Sequence, residues 1–350
     1  MKFIHLADVH LGAFPDADRP WGVRREKELW QCFRAVIRMA KREQVDLLLI
    51  AGDLFHRQPL KRELKEVAAI LEEIQDTQVV LIAGNHDYLH PKSYYRTFVW
   101  PEHVHMIQTQ ELTPLQLPDL DVTVWGSSYW GKEDRTRLYD AKPQFGSGYQ
   151  ILLGHGGDER HRPFSVSAVS QAGYDYAAFG HVHIPKRLRG DQTVMAGALQ
   201  PVEHNDLGSH GYWMGQLTPG GCRVQFFPIR MCEYRQREVD VSPEMTSGQM
   251  LQKVEEILRE RENYEISHVI LQGLRDAQME PPKEEIAALS RVVKVVDETR
   301  ADYRFEELKV QYRGTLVEAF IREMEAYPDP GLREQALYFG VQAMLDAMES

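Results

Sequence analysis

Aspartate, histidine and asparagine recur along the first half of this chain in one setting, directly after a short apolar run. Residues 3–7 lead into Asp8-Val9-His10, residues 45–51 into Gly52-Asp53-Leu54-Phe55-His56, and residues 79–83 into Gly84-Asn85-His86-Asp87. Residues 151–153 lead into Gly154-His155-Gly156, and residues 176–179 into Gly180-His181-Val182-His183. If each run is a strand, five strands deliver hard or borderline metal ligands at their C-terminal ends, where open α/β sheets carry their sites. In four of the five a glycine precedes the ligand and lets the backbone turn sharply. Carboxylate, imidazole and amide oxygen without thiolate suit manganese, iron or zinc, not a structural zinc or an iron–sulfur cluster. The candidates Asp8, His10, Asp53, Asn85, His155, His181 and His183 are too many for one ion and enough for two if a carboxylate bridges. A bridged pair is suited to phosphoryl displacement. A lone Asp-x-His is usually a cap or surface pair, and a lone Gly-Asn-His-Asp usually a turn. Co-occurrence in this order, each at a strand end, carries the reading.

Placing these residues together requires an α/β fold. Residues 28–41 set Leu29, Phe33, Val36, Ile37 and Ala40 on one helical face, and residues 64–74 behave likewise. The start of the chain therefore alternates strand and helix. After about residue 120 the strands lie closer together, with glycine-rich turns at 146–148 and 220–221, which predicts a more antiparallel second set. From residue 233 a β-α-β-α-β module follows. The last forty residues read as two helices, 310–326 and 332–348, parted by Tyr327-Pro328-Asp329-Pro330-Gly331. The expected divisions are 1–232, 233–305 and 306–350.

With 350 residues, 43% hydrophobic and 27% charged, the chain has an ordinary globular composition with room for about two domains. Cys32, Cys222 and Cys232 show no CxxC spacing, so a reducing compartment is expected and a disulfide framework is not. Asp8 and His10 fall where a signal peptide would be apolar, and no apolar run approaches a membrane span. A cytoplasmic protein without membrane contact is expected. The net charge of −11 is unevenly spread: the first 230 residues hold 26 basic and 27 acidic residues, the remainder 15 and 25. Long-range attraction of nucleic acid is not supported, but a local basic rim on the first part is compatible with these counts.

Asp8-x-His10, Gly52-Asp53, Gly84-Asn85-His86-Asp87, His155 and Gly180-His181-x-His183 together resemble, in order, the motif set of the calcineurin-like binuclear metallophosphoesterases. HLADVHLG and AGDLFHR resemble the nuclease branch, the SbcD-type double-strand-break repair nucleases and their YhaO-like bacterial relatives. Protein phosphatases of that superfamily carry Asp-Arg-Gly after the second motif and Glu after the Asn-His pair. Here Phe55-His56-Arg57 and Asp87 stand in those places. The resemblance covers the first 230 residues; the next module matches the family's capping domain by position and element order only. It implies a four-layer α-β-β-α sandwich with a small β-α-β-α-β capping domain and a C-terminal helix pair. It also implies Asp8, His10, Asp53 and His183 on one ion, Asn85, His155 and His181 on the other, with Asp53 bridging. Manganese is the ion favoured, with iron or zinc as alternatives. His86 would face the substrate and assist the leaving oxygen, His56 would contact phosphate, and Asp87 would orient a neighbouring imidazole.

Basic residues trail the metal motifs: Arg24 and Arg25, then Arg57, Lys61 and Arg62, then Arg160 and Arg162, then Lys186, Arg187 and Arg189. Such a rim is what a polyanion needs, and Arg57, Arg160, Arg162 and Lys186 are the candidate substrate contacts. Aromatic residues at 94–100 and 129–130 are expected to pack rather than stack on bases. Nuclease relatives end in a helical segment that docks on an SbcC-type coiled-coil ATPase, so Leu316, Phe320, Ile321 and Met324 are the expected contact, with packing into the cap as the alternative. The resemblance also implies a homodimer. The sequence thus points to a two-metal-dependent DNA phosphodiesterase, exonuclease or single-strand endonuclease, acting in DNA break repair with such an ATPase. A small-nucleotide phosphodiesterase and a non-catalytic scaffold bridging DNA and its ATPase are the alternatives. The complete ligand set counts against the scaffold.

Overall fold

Strands that are apolar along their whole length need cover on both faces, and this chain supplies it. The computed structural model describes residues 1–142, 144 and 146–349. They divide into two compact units, Met1–Arg235 with Glu262–Ile266, and Gln236–Arg261 with the residues from Ser267 onward. The first unit opens with β1 (Lys2–Leu6), β2 (Leu47–Ala51), β3 (Gln78–Ile82) and β4 (Val104–Met106). It continues through β5 (Thr113–Leu117), β6 (Val122–Gly126), β7 (Tyr149–His155), β8 (Tyr176–Gly180), β9 (Lys186–Arg189) and β10 (Thr193–Met195), and closes with β11 (Gly211–Thr218) and β12 (Gly221–Pro228). Among the described residues these form two six-stranded sheets, ordered β12-β11-β1-β2-β3-β4 and β5-β6-β7-β8-β10-β9.

Alternation along each strand builds the layers. Phe3, Leu47, Leu49, Ala51, Val80 and Ile82 of the first sheet share a core with Val122, Val124, Ile151, Leu153, Tyr176 and Ala178 of the second. The intervening residues Ile4, Leu6, Leu48, Ile50, Val79 and Leu81 instead meet α1 (Gly22–Glu43) and α2 (Lys61–Leu71), through Leu29, Phe33, Val36, Leu64 and Val67. Behind the second sheet, Leu152, Ala177 and Phe179 pack with Val169 and Ala172 of α3 (Val166–Ala172). The result is the expected helix-sheet-sheet-helix sandwich. One expectation needs correcting. The second sheet is parallel through β6, β7, β8 and β10, and antiparallel only at its edges, β5 and β9. Seven-residue α3, started by the Ser165 hydroxyl accepting from Ala168 N and stopped at Gly173 (φ 98°), makes the β7-to-β8 crossover that parallel pairing requires.

The chain continues through β13 (Glu233–Val241), α4 (Ser247–Arg259), β14 (Glu265–Arg275), α5 (Lys283–Ala287), β15 (Val292–Asp297) and β16 (Arg300–Ala301), with β13 counted in the second unit from Gln236 and β14 from Ser267. Thr246 and Gln249 cap α4 reciprocally, each side chain accepting from the other's backbone N–H. β14 lies between β13 and β15. Val239, Val241, Met250, Val254, Val269, Leu271 and Ile286 form the core. The chain then runs through α6 (Phe305–Gln311), α7 (Leu316–Glu325) and α8 (Pro330–Glu349). The expected helix over 310–326 is interrupted because Gly314 adopts φ 79° and gives its N–H to Glu318 Oε2 at 2.6 Å. Ile321, read in sequence as part of an outward stripe, is fully buried in a cluster with Leu337 and Val341, while Leu316 is 73% exposed. No helix among the described residues is long and apolar enough to cross a membrane.

His5 on β1 gives the sandwich a measurable pH response. Its Nδ1 meets the Tyr176 hydroxyl at 2.9 Å, and the ring is fully buried. Burial holds the imidazole down to about 3, against a backbone hydrogen bond from the Phe179 region that raises it slightly. The unfolded chain therefore binds a proton near pH 6.5 that the folded chain refuses, and stability falls as pH drops from there towards 3. Between pH 7 and 5 this group alone is expected to cost about 2 kcal/mol. In urea unfolding with chelator, the stability change from pH 7 to pH 5 should be less favourable in the native chain than in His5→Gln by that amount.

Candidate metal centre

The loops leaving β1 and β2 are zipped together by Asp8 N to Gly52 O, His10 N to Asp53 O and Leu11 N to Leu54 O, at 3.0–3.1 Å. Asp8 (φ 48°), His10 (φ 49°), Asp53 (φ 49°) and His181 (φ 102°) all have positive φ, which is uncommon outside glycine. That turn throws their side chains back over the strand ends. Glycine is required at two of the preceding positions because ligands pass close. A Cβ on Gly52 would sit 2.4 Å from His155 Nδ1, and one on Gly84 would sit 2.2 Å from Asp53 Oδ1.

All seven sequence candidates converge. His10 Nε2 and His183 Nε2 are 3.1 Å apart. The Asn85 side-chain oxygen lies 2.9 Å from His155 Nε2 and 3.1 Å from His181 Nδ1, and Asp53 Oδ2 is 3.3 Å from His155 Nε2. Asp8, His10 and His183 form one tight group of potential ligand atoms and Asp8, Asp53 and His155 another, all within 4.8 Å of each other in each group. The residue common to the two is Asp8, whereas the family pattern gives the bridge to Asp53. His155 donates Nδ1–H to the Ala51 carbonyl at 2.8 Å, which turns Nε2 inward.

The electrostatics are those of a cation site. Asp8 Oδ1 is buried with no hydrogen-bond partner among the described residues, a costly condition for a carboxylate oxygen unless positive charge stands beside it. Burial, opposed by His155 and His183, pushes Asp8 up to about 6. Burial would lower His155, but the Asp53 charge and hydrogen bond, with Asp8, outweigh it and hold it at about 9. Two buried carboxylates, four imidazoles and an amide oxygen on one point, without thiolate, fit a pair of divalent ions.

His56 and His86 stand beside this group. Their rings stack at 5.0 Å, and potential ligand atoms of His10, His56 and His86 lie within 4.8 Å of one another. His86 donates Nδ1–H to the His56 carbonyl at 3.1 Å, leaving Nε2 for another partner. Asp87 is buried and orders the loop rather than an imidazole: it accepts from Gly84 N, Phe55 N and the Tyr95 hydroxyl.

The basic candidates divide. Arg160 and Lys186 are exposed, and Arg57 is partly exposed and held by Glu63 at 2.7 and 3.1 Å. Arg162 is not on the rim. It is fully buried, bonded to Asp134 Oδ2 (2.8 Å), the carbonyls of Ser127 and Ser128 (3.1 and 2.9 Å) and the Tyr139 hydroxyl, with its guanidinium 4.3 Å over the Tyr129 ring. Tyr139 in turn accepts from His155 N at 3.0 Å, so Arg162 braces a candidate ligand from behind. Arg162→Met should lower stability by about 3 kcal/mol, since Asp134 and two carbonyls lose a buried partner. Arg160→Ala and Lys186→Ala should stay within about 0.5 kcal/mol of the native chain in the same urea titration. Sequence reasoning did not single out Tyr139, Asp158, His161 or Asp206. They come from loops without a repeating pattern and were findable only once the sheets were assembled.

The sequence profile of the family described as calcineurin-like phosphoesterase matches residues 1–185. The chain is 26% identical over 297 residues to the uncharacterized metallophosphoesterase YhaO of Bacillus subtilis, an alignment covering 78% of this chain and 72% of that protein. It is 26% identical over 234 residues to the DNA double-strand break repair protein Mre11 of Aeropyrum pernix, covering 60% of this chain and 56% of that one. With the SbcD subunit of the nuclease SbcCD of Staphylococcus epidermidis it shares 24% identity, over 93% of each chain.

Proposed function

The chain belongs to the calcineurin-like phosphoesterase family, and from that premise we propose that it is a two-metal-dependent DNA phosphodiesterase of double-strand-break repair, an exonuclease, a single-strand endonuclease or both. The observation that carries the reading is that Asp8 groups with His10 and His183 and with Asp53 and His155, Asn85 joins His155 to His181, and one Asp8 oxygen is buried without a hydrogen-bond partner among the described residues. Relatives named as Mre11 and as an SbcCD nuclease subunit support DNA as the substrate. Asp8, His10, Asp53 and His183 would hold one ion and Asn85, His155 and His181 the other, with Asp53 shared; manganese is the ion proposed. Bound divalent ions supply Lewis acidity for the phosphoryl oxygens and a nucleophilic water at neutral pH. His86, with Nδ1 committed to the His56 carbonyl, offers Nε2 to the leaving sugar oxygen and, as imidazolium, donates it a proton. His56, stacked on His86, contacts a phosphate oxygen, and Arg57, Arg160 and Lys186 steer the strand.

Residues 1–232 are assigned as the nuclease domain, 233–305 as a cap and 306–350 as the segment that meets an SbcC-type ATPase. A cytoplasmic homodimer is the proposed setting. The test is incubation with manganese and end-labelled linear duplex or single-stranded DNA, beside bis(p-nitrophenyl) phosphate and a phosphoserine peptide. DNA degradation that chelator stops and manganese restores is the expected result. Cleavage of the small diester with DNA untouched, even with the ATPase added, would favour a small-nucleotide phosphodiesterase. No cleavage by a chain with two ions bound would favour a scaffold.

A further inference from the structure

His181 and His183 stand two residues apart, yet they turn opposite ring nitrogens towards the centre. His183 faces His10 with Nε2, and its Nδ1 lies 3.1 and 2.9 Å from the two carboxylate oxygens of Asp206. His181, turned by its positive φ of 102°, faces the Asn85 oxygen with Nδ1, and its Nε2 lies 2.7 Å from Asp158 Oδ2. We propose that Asp206 and Asp158 are positioning residues that fix the two tautomers, so that the centre takes His183 through Nε2 and His181 through Nδ1. The inference rests on the two-metal reading above.

Hydrogen-bond capacity decides which nitrogen keeps its proton. An ionised carboxylate only accepts, so the imidazole nitrogen it meets must carry the proton, and the lone pair of the neutral ring is left on the other nitrogen. For this to decide the tautomer, the carboxylate must itself be unable to turn away. Asp206 is buried, and its Oδ2 also accepts from Val202 N and Glu203 N, both at 2.9 Å. Asp158 is tied through Oδ1 to the backbone of Arg160 (2.8 Å) and His161 (3.0 Å), and shares its oxygens with His161 Nδ1 at 2.9 Å. Both carboxylates are thus locked by the loops that carry them. Asp158 is half exposed and divided between two imidazoles, so its hold on His181 is the weaker.

The full chain, labelled with nitrogen-15 at histidine and loaded with zinc, tests this through long-range proton–nitrogen spectra. His183 should keep its proton on Nδ1 and His181 on Nε2; the reverse at either ring overturns the inference. In zinc competition with a chromophoric chelator, Asp206→Ala should weaken binding by about ten- to a hundredfold and Asp158→Ala by less. Asp206→Asn, whose amide oxygen can still accept from Nδ1, should recover part of the loss. Native affinity in both alanine variants overturns the inference while leaving the two-metal reading standing. A native chain that binds no pair of zinc ions overturns both. The spectra of the native chain keep the test valid even where Asp206→Ala disturbs its loop.

Discussion

Asp8→Asn is expected to remove manganese-dependent DNA cleavage, by roughly a thousandfold or more, the ~4 kcal/mol scale of charge stabilisation at a preorganised site. The same substitution should leave the metal-free chain folded and no less stable. The two halves of this expectation come from the two oxygens of one side chain. Asp8 Oδ2 accepts from His181 N at 2.9 Å, a bond that an asparagine oxygen can keep. Asp8 Oδ1 has no hydrogen-bond partner among the described residues and carries buried negative charge, so neutralising it relieves the apo protein and disables the ion-bound one. Metal content by atomic emission and thermal unfolding in chelator check both halves. An Asp8→Asn variant that binds two ions and cleaves DNA at the native rate would remove Asp8 from the centre. One that is unfolded in chelator would show that the carboxylate serves the fold instead.

His86→Ala is expected to lower kcat by roughly 10²–10⁴-fold, the usual range for loss of a positioned acid, with both ions still bound and KM little changed. The separation is possible because what ties residue 86 to the centre is its backbone: His86 N donates to Asp53 Oδ1 at 2.9 Å, and alanine preserves that bond. Only the ring is lost, along with its stacking on His56 at 5.0 Å and its hydrogen bond to the His56 carbonyl. Metal stoichiometry and single-turnover cleavage of labelled DNA distinguish this from collapse of the site. A variant that loses its ions along with its rate would make His86 a ligand or a brace, not the group that serves the leaving oxygen.

What the sequence made legible, and what it hid, follows from how far each signal reaches along the chain. Strands β1, β2, β3, β7 and β8 were readable because each is a continuous apolar run covered on both faces, and the polar residues after them stand out against that background. Motifs at strand ends are local, so the order and spacing of Asp8, Asp53, Asn85, His155 and His181 survive in one dimension. The direction of the second sheet was not readable, since a seven-residue crossover helix looks in sequence like one more loop. The break at Gly314 was hidden because one glycine does not interrupt an otherwise helical pattern. Arg162 shows the same limit most clearly. Its charge and its place after a metal motif read as a rim residue, but its partners Asp134, Ser127, Tyr129 and Tyr139 arrive from a different stretch of chain. Asp206 and Asp158 hold histidines 23 residues away in each case, and no periodicity announces a bond of that kind.

The positive φ angles at Asp8, His10, Asp53 and His181 bear on how freely this centre can drift. At each position a replacement has to offer a donor atom and also tolerate a backbone that β-branched and bulky side chains resist. Aspartate, asparagine and histidine are the non-glycine residues most at home there, and they are also oxygen and nitrogen donors. Conformation and donor chemistry therefore select from the same short set. A lineage moving towards a thiolate-rich, softer-metal centre would have to rebuild the loops after β1, β2 and β8 before cysteine could take these places. The backbone, as much as the ion, keeps the donor set what it is.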